Sequence, residues 1–355
     1  MIYIFSNLVE KKEKCFYSDN IILKTFYIMI NEKDLIYISG HKGMVGSSIY
    51  KLFIEKGYKN IVTADRENLD LTDFHEVKKW YEGKKPNITI IAAAKVGGIF
   101  ANNNFSADFL LENLKIQNNL IENAWRSKSK RLLFLGSSCI YPKFANQPIS
   151  EEELLSGPLE KTNDCYAIAK IAGLRLCKAL REQYGFDAIS LMPTNLYGPN
   201  DNYHPKNSHV LPALIGKFCD AFDKGLNEVS CWGTGNPMRE FLHVEDLASA
   251  CLHLLKNWNP SADNAPKDKF GNYLNHLNVG TSDEISIKNL AKLVAKLVGY
   301  KGEILWDKSK PDGTPRKKLN ISRIQSLGWE PSISLEKGIC QAISDYRNNS
   351  QIRKS

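Results

Sequence analysis

Between residues 34 and 198, short apolar runs alternate with longer stretches whose apolar positions recur every three or four residues. The first pattern predicts buried strands and the second predicts amphipathic helices. The predicted strands span residues 34–39, 60–64, 88–93, 131–135 and 188–192. Because strands and helices alternate in this order, the sequence predicts an α/β fold with a doubly wound parallel sheet, whose ligands bind at the carboxyl ends of the strands.

The regular alternation weakens after Gly198, which predicts a division into two units. We expect residues 34–198 with 241–283 to form a Rossmann domain, and residues 199–240 with 284–345 to form a smaller C-terminal α/β domain that binds substrate. Residues 1–33 are predicted to be a poorly ordered extension, and Met29 suggests that translation naturally begins just before the first strand. No apolar run in the extension reaches the length of a membrane span, and no small-residue cleavage site suggests a signal peptide.

A glycine-rich turn joins the first predicted strand to the first predicted helix. It comprises residues 40–46, Gly-His-Lys-Gly-Met-Val-Gly. Gly40 permits a tight turn, Gly43 lets a pyrophosphate approach the backbone, and Gly46 allows the helix to pack closely on the strand. These flanks predict a dinucleotide site that includes Met44 and Val45 at the helix start. The alternative is a plain glycine-rich connection.

The residues after the second predicted strand bear on the choice of dinucleotide. Arg66 suits the 2′-phosphate of NADP, whereas the neighbouring Asp65 suits the free hydroxyl of NAD. Lys42, inside the glycine turn, is a second cation for the phosphate and favours NADP. The alternative is that both cations belong to the solvated surface. Asp70 and Leu71 are placed to meet the adenine.

Tyr166 and Lys170 lie four residues apart in a predicted helix, so their side chains share one face. Tyrosine titrates near pH ~10, and proton transfer at neutral pH needs a pKa lower by about 3 units. We expect the ammonium of Lys170 to supply much of that stabilisation of the phenolate. The spacing alone also fits a solvated helix face, and the glycine turn is what favours catalysis.

Composition and charge fit a cytoplasmic enzyme. The chain has 355 residues, 43% hydrophobic and 24% charged, which is enough for one large core and a smaller one. Its eight cysteines include no Cys-x-x-Cys pair, so we expect reduced thiols, no disulfide framework and no metal site. The net charge of +8 is dispersed without the aromatic and basic repeats of a nucleic-acid surface, and no segment suggests a membrane partner.

Several segments carry a family resemblance. They are residues 40–46, 92–98, 136–142, 166–170, 193–199, 207–210, 232–241 and 310–316. Together they resemble the extended short-chain dehydrogenase/reductase family and, within it, the GDP-L-fucose synthases. The resemblance covers nearly all of residues 34–340. It implies epimerisation of carbons 3 and 5 of GDP-4-keto-6-deoxy-D-mannose, followed by reduction of the ketone with NADPH to give GDP-L-fucose.

The resemblance also assigns roles in this reaction. Cys139 is the base and His209 the acid that invert the two carbons made acidic by the ketone. Tyr166 donates a proton to the ketone oxygen during reduction, Ser137 hydrogen-bonds the same oxygen, and Lys170 also holds the nicotinamide ribose. Taken without the resemblance, Cys139 fits a buried core thiol, His209 a loop histidine, and Ser137 a hydroxyl that caps local backbone amides.

By the same resemblance, the cofactor site extends beyond the glycine turn. It takes in Ala93, Ser137, Lys170, Pro193, Asn195, Leu196 and His209. The substrate residues are Lys217, Trp232, Arg239 and Asp312. At position 217 this chain has a lysine, whereas an arginine is common in the family. The lysine keeps the positive charge but lacks the planar guanidinium, so bidentate binding of a diphosphate is in doubt. Trp232 also fits a core aromatic, and Arg239 a structural ion pair.

Two predicted helices bear on oligomeric state. The helices around residues 109–124 and 166–184 carry apolar faces. In extended relatives the matching faces form a four-helix dimer interface, so the resemblance implies a homodimer.

Two other functions stay open at this point. One is a different nucleotide-sugar epimerase or dehydratase that keeps NAD bound, which Asp65 would suit. Such an enzyme has no need of Cys139 and His209. The other is a dinucleotide sensor without catalysis, which has no use for a tuned phenol at Tyr166.

Overall fold

The computed structural model describes residues 30–204, 207–310 and 312–349. The predicted extension lies mostly outside the described residues, as does Met29. Its last residues belong to the fold instead, because Ile30 is buried in the main core and the amide of Asn31 donates to the carboxylate of Asp34 at 2.9 Å. The fold therefore begins by Ile30, and the boundary that we placed at residue 34 is too late.

Within the described residues, the central sheet has six parallel strands. They are β1 Ile36–Ser39, β2 Ile61–Val62, β3 Ile88–Ile91, β4 Arg131–Leu135, β5 Ala188–Pro193 and β10 His276–Val279, numbered in chain order. Their order across the sheet is β10-β5-β4-β3-β1-β2. This confirms the predicted doubly wound fold.

Strand β10 was not predicted from the sequence. Its segment carries buried polar residues, including His276 and Asn278, which interrupt the apolar pattern. The side chain of Asn278 is satisfied internally: its amide nitrogen donates to the carbonyl of Ile149 at 2.9 Å, and its oxygen accepts from the hydroxyl of Tyr141 at 2.6 Å. Such hydrogen bonds let a polar strand occupy a buried position.

Helices flank the sheet. They are α1 Met44–Glu55, α2 Phe74–Lys84, α3 Ile99–Asn104, α4 Ser106–Arg126, α5 Asp164–Tyr184, α7 Val244–Asn257 and α9 Ser322–Ser326. Helix α1 packs against α7, whereas α2, α4 and α5 pack together as a separate layer. In the described part of the chain, no helix has both the length and the apolar character needed to cross a membrane.

A second, smaller core is built from the remaining elements. They are β6 Asn195–Tyr197, α6 Val210–Asp223, β7 Glu228–Trp232, β8 Met238–Arg239, β9 Phe241–His243, β11 Ile285–Ser286, α8 Ile287–Val298, β12 Glu303–Asp307, β13 Arg316–Lys317 and α10 Leu335–Asn348. Strand β8 lies between β11 and β13, β7 pairs with β12, and β6 pairs with β9. Helices α6, α8 and α10 pack around Phe218, Leu290 and Ile339.

One stretch that we assigned to the second domain packs elsewhere. Leu319, Ile321, Ile324 and Trp329 all belong to the main core, where α9 contacts β10. The assignment of residues 284–345 to a single unit is therefore wrong for this stretch. The chain returns to the central sheet between β13 and α10.

The two cores meet at Glu240, which has no exposed surface. Its carboxylate accepts hydrogen bonds from the backbone amides of Thr281 at 2.6 Å, Ser282 at 2.8 Å and Leu319 at 2.8 Å. Its backbone carbonyl accepts from the side-chain amide of Asn195 at 2.8 Å. Burial raises the pKa of Glu240, and the three backbone donors oppose that rise. The side chain of Glu240 thus holds the segments after β10 and β13 together, and its backbone carbonyl holds the segment after β5.

We predict that Glu240→Ala lowers the free energy of unfolding by about 3–5 kcal/mol, because three buried amides lose their acceptor. Urea denaturation followed by circular dichroism measures this change. Glu303→Ala is the control, since Glu303 is exposed on β12 and its loss is expected to cost under about 0.5 kcal/mol. Similar losses in the two variants would contradict the role of Glu240 as the junction.

Candidate active site

The glycine turn sits between β1 and α1 in close contact with the end of β3. Gly40 has a φ of 73°, and a Cβ atom built on it would lie 2.8 Å from the backbone of Ala93. A Cβ atom on Gly46 would lie 2.2 Å from the carbonyl oxygen of Gly40. Both positions therefore need glycine, as the sequence predicted.

The start of α1 fits a pyrophosphate. Gly43 is the N-cap residue, and no side chain accepts a hydrogen bond from the first amides of the helix. Met44 and Val45 open the helix, so their amides lie among those that lack an intrahelical partner. Such a helix start, beside a backbone cradle without side chains, is suited to bind an anion.

Two of the charged residues expected near the adenosine ribose, Lys42 and Asp65, form an ion pair. The carboxylate of Asp65 accepts from Lys42 Nζ at 2.9 Å and lies 3.2 Å from His41 Nε2. Arg66 is exposed next to it. Lys42 therefore competes with a ribose hydroxyl for one oxygen of Asp65, whereas the other oxygen accepts no hydrogen bond from the described residues. His41 was not among the site residues predicted from the sequence.

The predicted adenine residues lie on the loop after β2. The carboxylate of Asp70 accepts from the amide of Thr72 at 2.9 Å and from its hydroxyl at 2.8 Å, and these bonds lower the pKa of Asp70. Leu71 packs partly against the main core, and its carbonyl accepts from Asn119 at 2.9 Å. The loop is thus fixed in place beside the turn.

The predicted residues after β5 lie where the chain passes between the cores. Pro193 ends β5 opposite Val279 of β10. Asn195 and Leu196 lie in β6, and the side chain of Asn195 is held by Glu240. These residues therefore share the carboxyl edge of the sheet with the glycine turn.

Tyr166 and Lys170 share a face of α5, with Lys170 Nζ 5.8 Å from the centre of the Tyr166 ring. The ammonium also donates to the carbonyl of Leu135 at 2.9 Å and lies 4.9 Å from the centre of the Phe134 ring. Burial lowers the pKa of Lys170 to about 8. Lys170 is thus held against the end of β4.

The expectation that Lys170 lowers the pKa of Tyr166 is wrong for this structure. Burial raises the pKa of Tyr166, and the nearby Cys139 raises it further. The desolvation of the phenol outweighs the neighbouring cation, whose proton is already directed at a backbone carbonyl. In this structure, burial therefore sets the direction of the pKa shift of Tyr166, and the nearby ammonium does not reverse it.

Ser137 and Cys139 lie on a tight turn directly after β4. The hydroxyl of Ser137 accepts from the amide of Cys139 at 3.3 Å, so the alternative interpretation of Ser137 as a capping hydroxyl is correct. The O–H proton of Ser137 is not used in that bond and can be donated to a second partner. The hydroxyl of Ser137 can therefore cap the turn and donate a hydrogen bond to a ligand at the same time.

The thiol of Cys139 is buried and lines a small cavity. The other lining residues are Tyr141, Pro142, Lys143, Ile149, Glu160, Asn163, Thr314, Arg316 and Lys317. Burial raises the pKa of Cys139, and Lys317, Ser137 and Lys170 oppose that rise in decreasing order. The interpretation as a core thiol is therefore incomplete, because the sulfur borders a cavity and two cations.

His209 is the N-cap residue of α6. Its loop rests on the turn after β3: the amide of Gly98 donates to the carbonyl of Asn207 at 2.8 Å, and a Cβ on Gly98 would lie 2.5 Å from the carbonyl of Ser208. The surrounding protein and the cation of Lys317 lower the pKa of His209, although part of the side chain stays open to solvent.

Lys317 is the residue that the sequence interpretation missed. It influences both Cys139 and His209, and it directly follows the 310–316 segment. Its only signal in the sequence was that adjacency, since a lysine after an arginine is common on solvated surfaces.

Trp232 is half exposed at 52%, which excludes the alternative of a core aromatic. Lys217 Nζ lies 5.6 Å from the centre of its ring, and Lys310 Nζ lies 5.8 Å from it. Lys217 is positioned by donating to the carbonyl of Ser230 at 2.9 Å. Two cations around an open aromatic ring suit a nucleotide with its phosphates.

Arg239 and Asp312 flank the same opening. Arg239 Nη1 donates to the carbonyl of Met238 at 2.8 Å, and burial lowers the pKa of Arg239 while Asp312 and Glu160 oppose that effect. Asp312 accepts from the amide of Thr234 at 2.9 Å and from its hydroxyl at 2.6 Å. Asp312 thereby ties the loop before β13 to the loop after β7.

The fold and these side chains define the active site of a dinucleotide-dependent oxidoreductase, with a glycine cradle and a Ser-Tyr-Lys set at one edge of the sheet. Among the described residues, no group of three or more His, Cys, Asp or Glu side chains is placed to hold a metal ion.

Comparison with known proteins gives the family. The NAD dependent epimerase/dehydratase family matches residues 36–267. GDP-L-fucose synthase 1 of Arabidopsis thaliana is 51% identical over 321 residues, which are 90% of this chain and 95% of that protein. GDP-L-fucose synthase of Escherichia coli (strain K12) is 47% identical over 317 residues, covering 89% and 98%. The crystal structure of a GDP-L-fucose synthetase from Naegleria fowleri bound to NADP has a TM-score of 0.79 at 26% identity, covering 91% and 97%. The chain belongs to the NAD dependent epimerase/dehydratase family and, within it, to the GDP-L-fucose synthases.

We predict that Gly46→Ala weakens dinucleotide binding at least about tenfold, or by about 1.4 kcal/mol, because the new methyl group meets the backbone of Gly40 and separates α1 from the turn. Titration of NADPH fluorescence measures the affinity. Gly83→Ala is the control, since a Cβ at Gly83 in α2 meets nothing within 4 Å. Unchanged affinity in Gly46→Ala would show that the turn does not cradle the dinucleotide.

Proposed function

We propose that this enzyme converts GDP-4-keto-6-deoxy-D-mannose to GDP-L-fucose, by epimerisation at carbons 3 and 5 and reduction at carbon 4 with NADPH. The observation that carries the proposal is the grouping of Cys139, Tyr166 and Lys170 at the end of β4, where Lys170 lies 5.8 Å from the centre of the Tyr166 ring and Cys139 raises the pKa of both other groups. Relatives about half identical over most of the chain are named for this product.

In the epimerisation, Cys139 acts as the base. The ketone makes the protons on both adjacent carbons acidic, and a thiolate removes one from one face of the sugar ring. The electron pair moves to the ketone oxygen, where the hydroxyls of Tyr166 and Ser137 donate hydrogen bonds to the growing charge. His209 delivers a proton to the opposite face, which inverts the carbon.

In the reduction, Tyr166 acts as the proton donor. Burial raises the pKa of Tyr166, so the phenol would donate to the ketone oxygen only as that oxygen gains negative charge from the hydride. NADPH supplies the hydride when bound. Lys170 lies within reach of the nicotinamide ribose while its proton is also shared with the end of β4.

The cofactor is placed by the glycine turn and the neighbouring strand ends. Gly43, Met44 and Val45 offer backbone amides to the pyrophosphate, and Ala93 and Pro193 border the bound chain of the dinucleotide. NADP is favoured over NAD because Arg66 is exposed where a 2′-phosphate would lie, while Asp65 is paired with Lys42.

The GDP part of the substrate is held by the second core. Trp232 stacks on guanine, Lys217 and Arg239 attract the diphosphate, and Asp312 fixes the loop that closes beside them. Lysine at position 217 keeps the attraction to phosphate without a bidentate grip. The NAD-retaining epimerase and the non-catalytic sensor are not favoured, since neither uses a thiol beside the phenol of Tyr166.

We also place the enzyme in the cytoplasm as a homodimer. Cys139, Cys177 and Cys251 are free thiols, which suits a reducing compartment. Helices α4 and α5 present exposed apolar side chains on their outer faces, including Leu111 at 55% and Ile168 at 47%. Apolar surface of this kind is typical of an interface with a second copy.

We predict that Cys139→Ser loses epimerisation at least about 100-fold, because a hydroxyl is a far weaker base than a thiolate. Incubation with GDP-4-keto-6-deoxy-D-mannose in deuterated water measures exchange at carbons 3 and 5, and nicotinamide absorbance measures reduction with NADPH or NADH. Cys139→Ser should still reduce a ketone that is already epimerised. Tyr166→Phe should exchange deuterium without reduction.

The control for this experiment is Cys340→Ser, which changes an exposed cysteine on α10 and should leave both activities intact. Equal loss of exchange and reduction in Cys139→Ser would contradict the assignment of epimerisation to Cys139 and of proton donation in the reduction to Tyr166. Absence of exchange in Tyr166→Phe would do the same. Release of any sugar other than GDP-L-fucose by the wild-type enzyme would refute the proposed function.

We predict that Ile168→Asp converts the dimer to a monomer, because a carboxylate cannot be buried in an apolar interface without a partner. Light scattering coupled to size-exclusion chromatography measures the mass in solution. Phe270→Asp is the control, since it replaces a side chain that is 76% exposed on the loop after α7. A monomeric wild-type protein, or a dimer unaffected by Ile168→Asp, would rule out this interface.

A further inference from the structure

Lys317 is held in place by the backbone on both sides of it. In β13 it lies opposite Arg239 of the parallel strand β8. The amide of Lys318 donates to the side-chain oxygen of Gln147 at 2.9 Å, and the carbonyl of Lys318 accepts from the amide of Ile149 at 2.7 Å. The side chain of Lys317 therefore projects from a fixed strand into the cavity of Cys139.

The acidic group nearest to Lys317 is already neutralised. Glu160 accepts from Lys143 Nζ at 2.9 Å and from the hydroxyl of Thr314 at 3.4 Å. No ion pair in the described part of the chain includes Lys317, although the strand neighbour Arg316 pairs with Glu284. The cavity thus contains a lysine whose charge has no matched carboxylate.

The groups that face Lys317 and Cys139 come from several elements. Around Lys317 they are Cys139, His209, Arg239 and Glu160, with Lys143 and Arg316 on the same cavity wall. Around Cys139 they are Ser137, Tyr166, Lys170 and Lys317. Among these, Lys170 donates to the carbonyl of Leu135, and Lys317 is the cation with the larger effect on the thiol whose cavity it lines.

A buried thiol is a poor base unless a positive charge stabilises its thiolate. Burial raises the pKa of Cys139, and Lys317 is the largest opposing influence. The same cation has a smaller effect on His209, whose pKa it lowers together with burial. Lys317 thus acts on the ionisation of both side chains assigned to the epimerisation.

We propose that Lys317 is a positioning residue for the epimerisation, whose ammonium, in the cavity shared with Cys139, stabilises the thiolate form that removes the sugar proton. The inference rests on the proposed function for the identity of the reaction. Its electrostatic part does not require any substrate.

The test is the pH dependence of Cys139 alkylation by iodoacetamide, which reacts with the thiolate. Mass spectrometry of the peptide that contains Cys139 separates it from the other cysteines. In Lys317→Met the midpoint of alkylation should rise by about 1–3 pH units relative to wild type. In Lys317→Arg it should return towards the wild-type value, because the charge is restored.

Lys143→Met is the matched control, because Lys143 lines the same cavity but its charge is paired with Glu160. Its midpoint should stay within a few tenths of a unit of wild type. Lys317→Gln serves in place of Lys317→Met if thermal unfolding shows that the methionine variant does not fold. An unshifted midpoint in a folded, uncharged variant would overturn the proposal, as would an equal shift in Lys143→Met.

A second measurement separates this inference from the proposed function. Deuterium exchange into the sugar at neutral pH should fall in Lys317→Met and recover as the pH is raised, whereas a structural defect would not recover. A shifted alkylation midpoint with undiminished exchange would overturn the role of Lys317 in the reaction. If wild-type enzyme exchanged no deuterium while its alkylation followed Lys317, the proposed function would fail and the electrostatic coupling would stand.

Discussion

The geometry of the site depends on one buried carboxylate. Glu240 receives three backbone amides from two separate segments and, through its own carbonyl, holds Asn195 at the end of the cofactor edge. It also lies between Arg239 of β8 and the first residue of β9. A carboxylate is suited to this position because it accepts several donors at once, and charged acceptors make the stronger hydrogen bonds. These hydrogen bonds therefore fix the position of the two cores relative to each other.

Burial acts in the same direction on the two groups proposed to transfer protons. It raises the pKa of the Tyr166 phenol and the pKa of the Cys139 thiol, so both side chains resist ionisation. The proposed epimerisation and reduction would therefore depend on cations close to these groups. Lys170 is bound to the end of β4 near the phenol, and Lys317 lines the same small cavity as the thiol.

The sequence predicted those parts of the fold whose physics is local. The apolar runs of β1, β3, β4 and β5 and the glycine turn have their cause within a few residues, and the structure has them where they were expected. Strand β10 was missed because its polar side chains are satisfied by partners more than a hundred residues away, as with Asn278 and Tyr141. Trp329 was assigned to the second unit for the same reason, because its packing in the main core depends on residues far away along the chain. The pKa of Tyr166 was misjudged because helical spacing reveals a neighbouring cation but not the depth of burial.

The same distinction explains why Lys317 escaped detection while Tyr166 and Lys170 did not. A pair on one helix face is visible in a linear pattern, but the relation between Lys317 and Cys139 exists only because β13 is inserted between β8 and the segment around Ile149. Cys139 and Tyr166 come from the main core, whereas Trp232 and Lys217 come from the second one. In the proposed binding mode, the nucleotide of the substrate would lie on one core and its sugar on the other. Glu240, which joins the two cores, would then help to set which carbon of the sugar lies beside the sulfur.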